Sequence, residues 1–178
     1  MRLFITGYMA SGKTTFGKAL ANKLEIPFID LDSFVEELTG KSIPEIFAES
    51  GEQTFREIER DALRKVVEEN EDIVLACGGG TPCHFDNMEF LNNRGITIFI
   101  ETSTPVLISR LQKESTNRPL MAGKSDEEIR KKVLTQLCER LPHYMEAKLK
   151  WHGDDLENEK EIEENVSSFV SSYPSLFR

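Results

Sequence analysis

The sequence predicts an α/β protein built on a parallel sheet, and three observations carry that prediction. Four short apolar runs, RLFIT (2–6), PFIDL (27–31), DIVLA (72–76) and ITIFI (96–100), are rich in Ile, Val and Phe and lack strict alternation. Strands covered on both faces read this way. Segments of helical spacing lie between them, so strand and helix alternate. Finally, GYMASGKTT (7–15) joins the first run to the first helical segment as a glycine-containing strand-to-helix loop.

The elements follow in chain order. Phe16, Leu20 and Leu24 recur at spacing four behind the first loop, and Phe55, Ile58, Ala62 and Val66 line one side of a long charged segment. Pro44 suits a first helical turn, Gly51 a break, and Gly95 the close of the helix holding Met88 and Leu91. Ser125 with Glu128 forms a capping box opening a helix that runs to about Lys148, with Pro142 as a kink. Polar, Pro- and Gly-containing residues 112–124 form a flexible-loop and lid candidate between two helices. Ile162, Val166, Phe169 and Val170 give a terminal helix its buried side.

A chain of 178 residues, 39% hydrophobic and 30% charged, fits one domain spanning 1–178. It contains no apolar run near the roughly 18 residues of a membrane span. The brief apolar stretch before Gly7 is too short for a signal peptide, so a cytoplasmic location is expected, with no membrane partner. With 22 Lys and Arg against 31 Asp and Glu, the net charge of -9 opposes a nucleic-acid backbone. A smaller anion must be held by local features such as oriented amides, a cation or arginines. Cys77, Cys83 and Cys138 are odd in number and scattered, which suits reduced thiols. Cys77, Cys83 and His84 match no zinc spacing. His84, His143 and His152 form no catalytic set.

The loop fits GxxxxGK[ST] through Gly7, Gly12, Lys13 and Thr14. In that pattern the backbone amides of Ala10, Ser11, Gly12 and Thr15 curl around phosphates, Lys13 reaches the outer ones, and the Thr14 hydroxyl ligates Mg²⁺. An ordinary glycine turn is the alternative, but the strand before and helix after favour a nucleoside triphosphate site. FIDLD puts Asp30 and Asp32 at the carboxyl edge of the sheet, where ligands bind; Asp32 as the cap of the following helix is an open second reading. In CGGG, the bare backbone of Gly78, Gly79 and Gly80 permits close ligand approach. Arg56 and Arg140 are each either surface residues or guanidinium forks for a carboxylate.

The ordered set GYMASGKTT, FIDLD, TGKSIPEIFAESGEQTFREIE, CGGGTP, NRPL and ERLPHY resembles the shikimate kinase family over about residues 1–147. The resemblance implies a P-loop NTPase of the nucleoside-monophosphate-kinase-like type: a three-layer sandwich with a five-stranded parallel sheet in the order 2-3-1-4-5. It implies ATP and Mg²⁺ as cofactors, handled by Lys13 and Thr14, with Asp30 near the metal. It also implies that Asp32 binds the shikimate hydroxyls and draws the proton from the attacking 3-hydroxyl. Arg56 and Arg140 would clamp the carboxylate in an acceptor segment of about 32–60, Gly78 to Gly80 would line the pocket, and Arg118 of the lid would meet the ATP phosphates. A monomer is expected. The family usually has Gly where this chain has Ala10, which fits at negative φ and is strained at positive φ. Two alternatives stand beside this reading: a kinase for another small acid or polyol such as gluconate, and a non-catalytic nucleotide-binding switch.

Overall fold

Parallel strands β1 (Arg2–Thr6), β2 (Phe28–Asp30), β3 (Ile73–Ala76), β4 (Ile96–Glu101) and β5 (Leu149–His152) form one sheet in the order β2-β3-β1-β4-β5. The computed structural model describes residues 1–114 and 125–177. In central β1, Leu3 lies opposite Val74 on one side and Ile96 on the other.

Each face of the sheet buries a different helical layer, which is why the inner strands read as continuous apolar runs. Leu3, Ile5, Val74, Ile98 and Ile100 pack with Phe16 and Leu20 of α1 (Lys13–Leu24) and with Val166 and Phe169 of a terminal helix, Glu159–Ser172. Phe4, Ile73 and Leu75 face the other way, against α2 (Leu31–Thr39), α3 (Ile43–Glu69) and Leu91 of α4 (Asn87–Arg94). A third cluster joins Tyr8 and Phe99 to α5 (Thr104–Glu114) and α6 (Asp126–Tyr144). The terminal helix is α7. Its Phe169 meets Phe16 and Trp151 edge-on, both with centroids 5.3 Å apart.

Punctuation read from the sequence recurs in the backbone. Pro44 lies in the first turn of α3, Gly51 breaks that helix at φ 79 and ψ 172, and the Gly95 N–H closes α4 on Leu91 O. Ser125 and Glu128 form the expected capping box. Four expectations change. Leu31 starts a helix instead of ending β2, because Asp30 already caps α2. Helix α6 stops at Tyr144, two residues past Pro142, and not near Lys148. The residues beyond make a turn into β5, whose LKWH pattern is half-buried at alternate positions and gives no apolar run. Residues 112–114 belong to α5, and the rest of the lid candidate, with Arg118, lies outside the described residues.

Among the described residues no helix is long and apolar enough to cross a membrane. Directly after β5, the Gly153 N–H donates to Glu101 O at 2.9 Å. A Cβ at Gly153 would sit 2.6 Å from Ser11 O, against Thr102 and Ile100 as well. Gly153→Ala is therefore expected to lower stability by about 1–3 kcal/mol, the range for overpacking, in urea unfolding monitored by Trp151 fluorescence.

Candidate active site

Parallel strands deliver their carboxyl ends to one edge, and the chemistry-bearing residues gather there. After β1 the chain curls through Gly7 (φ 143), Ala10 (φ 60) and Gly12 (φ 93) into the start of α1. Left-handed residues of this kind favour anion-binding backbone curls, the Ser11 N–H closes a turn onto Tyr8 O at 3.2 Å, and the helix adds its positive end. Lys13 is buried and its Nζ donates to Tyr8 O at 2.8 Å across the same loop. Ser11 Oγ is buried without a protein partner among the described residues.

Ala10 thus takes the strained alternative. A left-handed non-glycine residue costs roughly 1–2 kcal/mol, so neighbouring contacts must hold it. Arg110, which sequence reading missed, supplies them. Its Nη1 donates to Ala10 O at 3.3 Å and Gly153 O at 2.9 Å, its Nη2 to Asp154 O at 2.9 Å, and its Nε to Glu157 at 2.8 Å. One guanidinium ties the phosphate loop to the segment behind β5, a link between residues 43 or more positions apart that no local pattern could disclose.

Asp30 rather than Asp32 caps α2: its Oδ1 accepts from Asp32 N at 3.1 Å and Ser33 N at 3.4 Å. Its Oδ2 accepts from the Thr14 hydroxyl at 2.7 Å. Freed from capping, Asp32 faces a cleft. Much of its surface stays open to that cleft, but crowding by the walls weakens its hydration. Burial first, then the charges of Asp30 and Glu59, push its carboxyl up to about 6, against the opposing pull of Lys13 and Arg56.

Arg56 is 8% exposed, resolving its ambiguity in favour of the buried margin of α3. Nη1 pairs with Glu59 at 2.9 Å and Nη2 with Glu52 at 3.2 Å, while its buried Nε has no protein partner among the described residues. Glu59, also missed from sequence, is 1% exposed and accepts from the Thr81 hydroxyl at 2.6 Å. The three-residue spacing of Arg56 and Glu59 on one helix was the available signal. The glycines make room for this cluster. A Cβ at Gly78 would lie 2.7 Å from Asp32 Oδ1 and 2.8 Å from Glu59 Oε1, and one at Gly80 would lie 2.7 Å from Arg56 Nη2. Arg140, half-buried, stands over the Tyr8 ring at 5.7 Å and near Gly79. Cys77 is a buried free thiol, pushed well above its usual range by burial.

Two clefts result. One, of about 480 Å³, is lined by Ala10, Gly12, Lys13, Thr14, Thr15, Asp30 and Arg110, with Leu156 and Glu157 at its side. The other, of about 630 Å³, is lined by Arg56, Glu59, Gly78, Gly79, Gly80, Arg140 and an apolar wall of Ile43, Pro44, Phe47 and Phe55. Met9, Asp32 and Gly79 line both. Every site residue expected from the sequence and described here therefore lies at one edge, with Ser11 in the loop between its neighbours.

A phosphate-binding loop behind the central strand of a 2-3-1-4-5 parallel sheet, with a second cleft opening onto it, defines a P-loop kinase. The family model for shikimate kinase matches residues 9–171. A shikimate kinase of Bacteroides fragilis is 46% identical over 93% of this chain and 92% of its own length. The crystal structure of shikimate kinase from Bacteroides thetaiotaomicron superposes with a TM-score of 0.94 at 43% identity, covering 98% of both chains. That of the Acinetobacter baumannii enzyme, in complex with shikimate, gives 0.82 at 30% identity, covering 98% of this chain and 93% of that one. The chain belongs to the shikimate kinase family.

The raised Asp32 carboxyl has a stability consequence. Its folded pKa, about 6, exceeds the unfolded value near 3.9, so the folded state holds the extra proton between them. Ionising Asp32 then costs stability as pH rises through that window. Asp32→Asn is expected to stabilise the ligand-free protein at pH 8 by on the order of 1 kcal/mol, discounted because cleft water screens the charge. Urea unfolding across pH should show that gain vanish by about pH 4.

Proposed function

We propose that the chain is an ATP-dependent shikimate kinase, moving the γ-phosphoryl group to the 3-hydroxyl of shikimate and releasing shikimate 3-phosphate and ADP, on the route to chorismate and aromatic amino acids. The observation that carries the reading is the meeting of the two clefts at Asp32. Lys13 and the amide-rich loop stand on one side of it, and Arg56 and Arg140 on the other.

Phosphoryl transfer asks chiefly for alignment and charge stabilisation. The loop amides and Lys13 bind the triphosphate, and Arg110, Leu156 and Glu157 also line that cleft. Arg56 and Arg140 grip the acceptor's carboxylate, with Gly78 to Gly80 allowing the ring to approach. Asp32 accepts hydrogen bonds from the ring hydroxyls and takes the proton of the 3-hydroxyl as that oxygen attacks. A carboxyl poised near 6 is ionised at neutral pH and basic enough for this role. Arg118 is proposed as a partner of the ATP phosphates on the family resemblance.

Mg²⁺ fits the donor set. The Thr14 hydroxyl and Asp30 carboxylate, 2.7 Å apart, are two oxygen ligands of the kind that this hard cation takes alongside water and substrate phosphates. When bound it would neutralise charge on the phosphates. The net charge of -9 supports a small-molecule partner over nucleic acid. A monomer acting in the cytoplasm belongs to the same proposal.

A coupled assay of ADP release should show turnover with shikimate and none with gluconate; the reverse would overturn the assignment. Lys13→Ala should abolish turnover. Arg56→Ala should chiefly raise the KM for shikimate, by roughly 10- to 150-fold, matching about 1.5–3 kcal/mol for a charge-assisted hydrogen bond. An unchanged KM would remove Arg56 from the acceptor site. Because Asp32 must be ionised, kcat/KM for shikimate should fall below about pH 6.

A further inference from the structure

The triglycine loop carries a constraint from a residue outside both clefts. Tyr144, the last residue of α6, is fully buried, and its ring stacks on Phe99 with centroids 5.2 Å apart. Its hydroxyl donates to Gly79 O. Arg140 lies one helical turn earlier, close enough for its positive charge to act on the same phenol. Burial holds the phenol proton well above the usual tyrosine range, keeping it a donor at any working pH.

The carbonyls of the glycine loop are all engaged. Gly78 O accepts from Thr81 N at 3.1 Å, Gly80 O from Cys83 N at 2.9 Å, and Gly79 O from Tyr144. A trans peptide is planar, so its N–H points opposite to its C=O. Fixing Gly78 O and Gly79 O on the protein side turns the N–H groups of Gly79 and Gly80 the other way. Both glycines line the cleft that also holds Arg56 and Arg140. Among the described residues, neither N–H meets a backbone or side-chain acceptor.

We propose that Tyr144 is a positioning residue for acceptor binding: its hydroxyl, bonded to Gly79 O, aims the Gly80 amide at the carboxylate assigned to Arg56 and Arg140. The inference rests on the acceptor reading above. It makes Tyr144 selective for the charge of the acceptor and indifferent to the nucleotide. Glycine needs such a restraint more than other residues, since its peptides rotate freely and an unrestrained amide would lose orientation on each binding event.

The test compares the unmodified protein with Tyr144→Phe, which keeps the ring and its stack. Each is assayed with shikimate and with the analogue whose carboxylate is replaced by hydroxymethyl. The variant should raise the shikimate KM by about 3- to 10-fold, the size of a typical hydrogen bond. Its kcat, its KM for ATP and its KM for the alcohol analogue should stay within about twofold. An unchanged shikimate KM, or equal losses for acid and alcohol, overturns the inference. Failure of the unmodified protein to favour the acid over the alcohol overturns the acceptor reading itself, and this inference with it. If circular dichroism shows the variant unfolded, the unmodified protein decides through ¹⁵N-glycine spectra. The Gly80 amide should move downfield with shikimate and not with the alcohol, and no such shift overturns the proposal.

Discussion

Glu59 holds the polar wall of the larger cleft together without lining the smaller one at all. It is a nearly inaccessible carboxylate between Arg56 and Thr81, and removing either partner would leave a charge in a poorly hydrated interior. Such pairs contribute little net stability, because desolvation offsets their attraction. Their value here is geometric. The Arg56 guanidinium lies close against Gly80, held by one buried and one exposed carboxylate, with its Nε left over. Thr81 in turn is tied through its carbonyl to Asn87 on α4. A strand end, two helices and a glycine turn thus share one polar knot.

The same crowding sets the chemistry of Asp32. Asp30 and Glu59 both act on Asp32, and among the described residues only those two carboxylates have hydrogen-bonded side-chain partners. Asp30 spends its lone pairs on Thr14 and the α2 amides, and Glu59 on Arg56 and Thr81. Asp32 is left with burial and two neighbours of its own sign. The protein tolerates this because Lys13 and Arg56 oppose the repulsion. Ala10 is a second strained element, held in a left-handed conformation and braced by Arg110. Strain and charge frustration at a ligand cleft, inside an otherwise regular α/β frame, match the general expectation that function and stability pull apart at such sites.

Much of this frame was legible beforehand. The runs of β1, β3 and β4 became inner strands with buried faces, the PFIDL run became the half-buried edge strand β2, and the capping box and glycine breaks work within a few residues of chain. Edge strand β5 escaped notice because Lys150 and His152 face water, so its composition carries no apolar signal. The end of α6 was overrun for a related reason: the turn at Met145–Ala147 has no glycine to mark it. Asp30 and Asp32 were separable only once the first helical turn was in place to show which carboxylate reached the amides.

Sequence alone determined the alternation of strand and helix, the GxxxxGK[ST] loop and the triglycine stretch, because spacing and side-chain type act locally along the chain. Tertiary structure decided that Arg56 is buried, that Glu59 orients it, that Arg110 spans two loops, and that Tyr144 reaches Gly79. Those pairings join residues as much as 100 positions apart, and only the packing of α3, α5 and α6 onto one sheet edge brings them within hydrogen-bonding distance.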